Sequence, residues 1–338
     1  MSKFSWMRVE DAGLEVRPGG FFIDPIRPSA CAVVSHGHAD HARPGHQHVI
    51  ATPETLAIME ARYGVGFARQ QTALAYGEAI SLGPCRITLH PAGHVLGSAQ
   101  IMVEYQDDRI VYSGDYKCEP DPTCAAFVPV PCDVFITEAT FALPVFRHPP
   151  IKQEIEKLLR AREQTPERAL VVGAYALGKA QRVIRALRDA GYDRAIYIHG
   201  ALSNLCTLYQ AHGIDLGELL PATAGERGRV RHDLRGEIVI APPGALADRW
   251  SRRLPDPLIA MASGWMQIKQ RARQRGVELP LIISDHADWD DLLATIDAVG
   301  PQEVWVTHGR EEALIRALAL KGIKARALAL IGYEDEAE

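Results

Sequence analysis

With 338 residues, 47% hydrophobic and 23% charged, the chain has the composition of an ordinary globular protein, which excludes a disordered or fibrous molecule. That length allows one large layered domain or two joined ones. The formal charge of −5 rules out a uniformly basic surface, although net charge averages over the molecule and omits bound ions.

In chain order, the first third reads as short strands broken by glycine and proline: Phe21–Ile23, Ala32–Ser35, Arg86–His90, Gln100–Tyr105 and Arg109–Ser113. A helix is expected over Pro53–Arg62, between a strand near Val49 and the strands that follow Thr72. The character changes at Pro149, after which Ile151, Ile155, Leu158 and Leu159 recur at helical spacing in a charged segment. Strand Leu170–Ala174, helix Gly178–Ala190 and strand Ala195–His199 follow, then more helix. With strands Glu237–Ala241 and Leu258–Ala262, this alternation predicts parallel βαβ units. The last stretch returns to strand Leu281–Ser284, helix Trp289–Val299, strand Glu303–Thr307 and helix Glu311–Leu320.

Charge is uneven along the chain. Arg249, Arg252, Arg253, Lys269, Arg271, Arg273 and Arg275 stand against a single acid, Asp256, in their stretch. A second basic cluster holds Arg227, Arg229, Arg231 and Arg235, and the tail carries Glu334, Asp335, Glu336 and Glu338. Such runs are solvated faces unless something else marks them as phosphate contacts. The first residues lack the basic patch and apolar run of a secretory signal, and no stretch reaches 18 uninterrupted apolar residues, so a cytoplasmic protein without a membrane partner is expected. Six cysteines without CxxC spacing give neither a zinc ribbon nor a disulfide framework, and buried thiols are the expectation.

Chemistry is concentrated where strands end. After the apolar Ala32–Val34 comes Ser35-His36-Gly37-His38-Ala39-Asp40-His41, a tight turn that gathers four ligand-type side chains. Neutral imidazole and carboxylate are the ligands of catalytic zinc; alternating positions let His36 and His38 share one ion while Asp40 and His41 turn toward another. At this histidine content HxHxDH arises by chance roughly once in a thousand such sequences. His94, in a Gly93-His94 loop, and Asp115, in Ser113-Gly114-Asp115-Tyr116, each have a plain structural reading as a loop histidine and a turn aspartate. Their order and their setting at strand ends favour ligation instead, and a carboxylate such as Asp115 can bridge two cations about 3.5–4 Å apart.

The succession HxHxDH, GH, GD resembles the metallo-β-lactamase superfamily over nearly the whole chain. Thr137-Glu138-Ala139-Thr140, Ser284-Asp285-His286-Ala287-Asp288 and Val306-Thr307-His308-Gly309 resemble motifs A, B and C of its β-CASP nuclease branch. Ala176-Leu177-Gly178-Lys179-Ala180-Gln181 resembles the opening of that branch's inserted domain. Within the branch the chain is most similar to the bacterial DNA-ligase-associated exonucleases. The resemblance implies an α/β fold, an αββα sandwich, formed by residues 1–149 and 281–338, with a β-CASP domain of parallel βαβ type at 150–280. It implies two divalent metal ions, with zinc preferred over manganese. His36, His38 and His94 would hold one, Asp40, His41 and His308 the other, and Asp115 would bridge them. Asp24 would support the ligand turn, and Glu138 and His286 would pair near the leaving group.

On this reading the chain is a two-metal phosphodiester hydrolase, a DNA exonuclease favouring 5′ ends, that serves DNA repair with a DNA ligase as partner. Asp40, Glu138 and His286 are its expected catalytic residues; Lys179, Arg182, Tyr116 and Ser98 are its expected substrate contacts, and Tyr175, Trp250 and Trp265 are candidates for base stacking, with buried packing the more ordinary role for each. Histidine at motif C is more typical of RNA-processing members, so an RNA nuclease is the principal alternative. A hydrolase of thioesters or lactones would use the same metal site, but it needs no second domain and no Glu138–His286 pair. A catalytically dead binding module would be expected to have lost ligands that this chain keeps.

Overall fold

The computed structural model describes residues 3–224, 229–230 and 233–328. These divide into two compact units, the first running to Arg147 and resuming at His286, the second spanning His148–Asp285.

The first unit is a four-layer αββα sandwich. One sheet runs in the order Met7–Glu10, Gly13–Val16, Phe21–Ile23, Cys31–Val33, His46–Ala51 and Ala68–Ala73. It begins as an antiparallel meander and continues parallel from Phe21–Ile23 onward. The other runs Lys324–Ala327, Glu303–Gly309, Val134–Ala139, Asp108–Tyr112, Ala99–Tyr105, Cys85–Pro91 and Ala79–Leu82. Period-two alternation explains the layering. Val33 and Ile50 point inward to meet Ile87, Ile101, Ile110 and Trp305 of the facing sheet. Their neighbours Ala32, Val34, Val49 and Ala51 point outward onto Leu56 and Met59 of helix Pro53–Tyr63. On the opposite outer face Val111, Phe135, Val304 and Val306 pack under helices Trp289–Val299 and Glu311–Leu320.

Both ends of helix Trp289–Val299 follow from its sequence. The Asp288 side chain accepts from the backbone N–H of Asp290 and Asp291, and Gly300 closes the helix in the left-handed conformation at φ 65°.

The second unit has a wholly parallel sheet, ordered Leu219–Pro221, Ile196–Ile198, Ile238–Ala241, Leu170–Gly173, Leu258–Ala262 and Leu279–Leu281. Strands Leu170–Gly173 and Ile238–Ala241 are buried along their whole length, as expected where both faces are covered. The strand expected over Leu281–Ser284 lies earlier, at Leu279–Leu281. It pairs with Leu258–Ala262, and the Ile282 N–H donates to the buried Glu154 carboxylate, so the chain stays with this unit beyond Pro280. Strands Met7–Glu10, Gly13–Val16 and Lys324–Ala327 alternate as expected but are only 4 residues long each, too short for the pattern to stand out in the sequence.

All six cysteines are free thiols. No helix among the described residues is long and apolar enough to cross a membrane. Arg227, Arg231 and the acidic tail from Glu334 lie outside the described residues, and Arg229 is described in its backbone alone.

Candidate metal centre

The ligand turn leaves strand Cys31–Val33 and is braced from below by Asp24. This carboxylate is fully buried and sits at φ 41°, a left-handed conformation that aspartate tolerates better than most residues. One oxygen accepts from the Ser35 N–H at 2.7 Å; the other accepts from the Ser35 hydroxyl at 2.5 Å and faces His41 Nδ1 at 2.8 Å. Since the Ser35 proton goes to Asp24, His36 Nδ1, 3.0 Å from the same hydroxyl oxygen, must be the donor there. Asp24 therefore orients both rings, His41 directly and His36 through Ser35, and turns both Nε2 atoms toward one volume. Gly37 is required because a Cβ there would lie 2.5 Å from Ile58 Cγ2, and Arg62 clasps the Gly37 carbonyl at 2.6 Å.

His94 comes from the loop between Cys85–Pro91 and Ala99–Tyr105. That loop turns at Gly93 and Gly97, with φ +75° and +76°, where a Cβ would meet the Lys117 carbonyl at 2.3 Å and the Thr55 nitrogen at 2.7 Å. Asp115 follows strand Asp108–Tyr112 through Gly114 at φ +57°. His308 sits on a bulge: Glu138 pairs with Thr307 and Ala139 with Gly309, leaving His308 as the extra residue, at φ 54°. The bulge re-aims its imidazole toward His41, with ring centroids 5.2 Å apart.

Two donor sets result. His36 Nε2 and His94 Nε2 lie 3.1 and 3.0 Å from His38 Nδ1, with Asp115 Oδ2 3.4 and 3.7 Å from the first two. His38 Nδ1 has a single in-plane lone pair, so proton sharing cannot satisfy all three nitrogens, whereas a tetrahedral ion with bonds of about 2.0–2.1 Å spaces its ligands about 3.3 Å apart. The second set is His41, Asp115 and His308, with Asp40 beside it: Asp115 Oδ2 and Asp40 Oδ2 stand 3.5 and 3.6 Å from His41 Nε2. One Asp115 oxygen thus faces both sets. The donors fit a pair of divalent cations.

The electrostatics agree with that fit. Burial, reinforced by neighbouring histidines, holds His36 well below the usual imidazole range, and burial with His41 alongside lowers His308 to about 3, so both are neutral, as ligands must be. Burial also opposes the charge on His41, but Asp40, Asp115 and Asp24 together outweigh it and raise His41 to about 10 without a cation. Burial, Glu138 and Asp40 raise Asp115 to about 7 against the pull of His41 and His286. Burial would raise Asp40 too, but His41 and His38 outweigh it and lower its pKa.

Beside these sets lies Glu138, buried at the end of strand Val134–Ala139. Its Oε1 accepts from the Tyr116 N–H at 2.8 Å and its Oε2 faces His286 Nδ1 at 2.9 Å. The Tyr116 carbonyl accepts from the Ala287 N–H at 2.6 Å, which pins the chain next to His286, and the His286 ring lies 4.7 Å from that of His94.

The structure places the four expected substrate contacts inside the protein. Tyr116 is fully buried against Phe127, and its backbone serves Glu138 and Ala287. The Ser98 hydroxyl accepts from the His94 and Val95 N–H groups and shapes the ligand loop. In the second unit Lys179 forms a buried pair with Asp285 at 2.9 Å, and buried Arg182 donates to the Ser284 carbonyl. Trp250 is packed in an apolar cluster, Trp265 is covered on one face by Arg271, and Tyr175 lies 5.3 Å from the Lys179 ammonium. Ser35 and Arg62 escaped the sequence reading because a neighbouring serine and a helical arginine carry no local mark of contact with a ligand turn.

A family model described as "Beta-lactamase superfamily domain" matches residues 9–199. A "Probable DNA ligase" of Opitutus terrae is 29% identical over 330 residues, covering 96% of this chain and 31% of that protein. "Ribonuclease TTHA0252" of Thermus thermophilus is 24% identical, covering 90% and 87% of the two chains, and "Endoribonuclease ysh-1" of Neurospora crassa is 32% identical over 41% and 18%. The chain thus spans under a third of the first of these relatives and nearly all of the second. Among solved structures, a protein of unknown function from Enterococcus faecalis V583 shares the fold at TM-score 0.53 and 16% identity, over 88% of this chain and 78% of that one.

Proposed function

The chain belongs to the metallo-β-lactamase superfamily and, within it, to the β-CASP branch; from that premise we propose that it is a DNA exonuclease acting in DNA repair with a DNA ligase. The observation that carries the DNA reading is the similarity of 96% of the chain to one segment of a protein named as a probable DNA ligase. A nuclease module joined to a ligase would trim ends that the ligase then seals.

Members of the superfamily use divalent metals, and zinc, favoured by the histidine-rich donor set, with manganese as the alternative, would lower the pKa of an attacking water and neutralise phosphate charge. His36, His38 and His94 would hold one ion, Asp40, His41 and His308 the second, with Asp115 between them. Glu138 keeps the proton of His286 on Nδ1, so a second proton, taken up on Nε2, is the one available to a departing sugar oxygen. The buried carboxylate favours that imidazolium form. Asp24 keeps the His36 and His41 Nε2 atoms aimed at the site throughout.

The second reading, an RNA nuclease, has its own support: two relatives are named as ribonucleases, and His308 occupies motif C. End-labelled single-stranded DNA and RNA, incubated with zinc or manganese beside Asp115→Ala and His286→Ala variants, separate the two. Stepwise shortening of DNA, lost in both variants, is expected. Preferential cleavage of RNA would move the protein to the RNA-processing group, and cleavage of neither polymer by metal-loaded protein would end the nuclease reading.

A further inference from the structure

Most arginines described in the second unit answer to an acid or a carbonyl: Arg168 pairs with Glu278 and Asp256, Arg185 with Asp189, and Arg188 holds four carbonyls. One surface departs from this pattern. From Arg249 to Arg275 the chain carries seven cations and one acid, a net charge of +6, which leaves −11 for the remainder of a chain at −5. Arg249, Arg252, Lys269, Arg273 and Arg275 are exposed and form no ion pair among the described residues.

The fold brings these residues together. Along strand Leu258–Ala262, Ile259 and Met261 point to one face of the sheet. Ile259 packs with Trp250 and Leu254, which anchor the turn Ser251–Arg253, and Met261 packs with Met266 and Ala272, which anchor helix Lys269–Gln274. Both basic segments therefore lie over the same face of the sheet, one above Ile259 and the other above Met261. Apolar side chains fix each segment and leave its cations outward. Arg271 is stacked on Trp265 with its guanidinium carbon 4.0 Å from the ring centroid, so its planar fork is ordered before any ligand arrives.

We propose that this face of the second unit binds the sugar-phosphate backbone of a nucleic acid, as an accessory surface for strand length beyond the reacting phosphodiester. The inference rests on the nuclease reading for its choice of polyanion. Its residues are distinct from the histidines, aspartates and Glu138 of the metal centre, so it governs affinity for long strands and leaves the chemistry alone.

The test is fluorescence anisotropy with a labelled 30-nucleotide phosphorothioate DNA strand, using the full chain and a triple variant, Arg252→Gln, Lys269→Gln and Arg273→Gln. Each phosphate contact on a single strand adds about 0.7 to the slope of log affinity against log salt, so three lost contacts flatten the slope by about 2 and weaken binding about a hundredfold at 0.1 M salt. Hydrolysis of bis(p-nitrophenyl) phosphate, too small to reach beyond one site, should stay unchanged. An unaltered slope and affinity would overturn the proposal, as would binding to phosphatidylserine vesicles lost in the triple variant while the DNA slope stays the same. Anisotropy needs no cleavage, so this result is separate from the fate of the exonuclease assay.

Discussion

Replacing Asp24 by Asn isolates the brace beneath the ligand turn. Asparagine is nearly isosteric and, like aspartate, tolerates the φ of 41° at this position, so backbone strain is not introduced. Its carbonyl can still accept from one partner, but its NH2 group confronts donors that the second carboxylate oxygen now serves. Two charge-assisted hydrogen bonds in a fully buried setting are lost, at about 1.5–3 kcal/mol each. With the substitution confined to the first unit, the metal-free protein should lose about 3–6 kcal/mol and about 6–24 °C in Tm. His41 and His36 would lose their fixed orientation together, so zinc affinity should fall about 10–100-fold. Differential scanning fluorimetry and competition with a chromogenic chelator measure the two effects. A variant within about 1 °C of the parent and equal to it in zinc affinity would refute the claim that Asp24 orders the ligands.

Metal uptake should release protons, because His41 at about 10 and Asp115 at about 7 in the metal-free protein must both be deprotonated to act as ligands. The sign follows: affinity rises with pH, with about one proton released at pH 8.5, where Asp115 is already ionised, and about two at pH 6. Calorimetry in buffers of different ionisation enthalpy counts them, and a pH-independent zero would contradict the assignment. Glu138→Gln should keep its metals by elemental analysis yet lower kcat about 10²–10⁴-fold on nucleic acid, since His286 loses its carboxylate partner. Gly309→Ala puts a Cβ 2.2 Å from the Ala139 carbonyl at φ +126°, so a loss of at least about 3 kcal/mol and weaker metal binding through His308 are expected by chemical denaturation and metal titration.

What could be read from the sequence was whatever rests on local pattern. Helix Trp289–Val299 appeared with its true bounds because Asp288 and Gly300 punctuate an apolar period, and Leu258–Ala262 because five apolar residues run together. The ligand motif stood out because histidine is rare. Contacts between residues distant in sequence were not legible. Lys179 and Arg182 look like phosphate binders as letters, but helix Lys179–Asp189 turns them inward onto Asp285 and Ser284. Tyr116 and Ser98 sit beside ligands in sequence and act through backbone and loop shape instead. The bulge at His308 depends on register with Val134–Ala139, which no local pattern encodes.

That register also sets a timetable for synthesis. Val134 pairs with Glu303, 169 positions later, and the whole second unit is translated in between. At about 5–20 residues per second, the ribosome needs roughly 10–30 s to supply the partner strand. Until then strand Val134–Ala139 has only one of its two neighbours, and one donor set lacks His308. The nascent chain can form the three-histidine donor set early but cannot complete the other until strand Glu303–Gly309 emerges, so the two donor sets are completed in the order of translation.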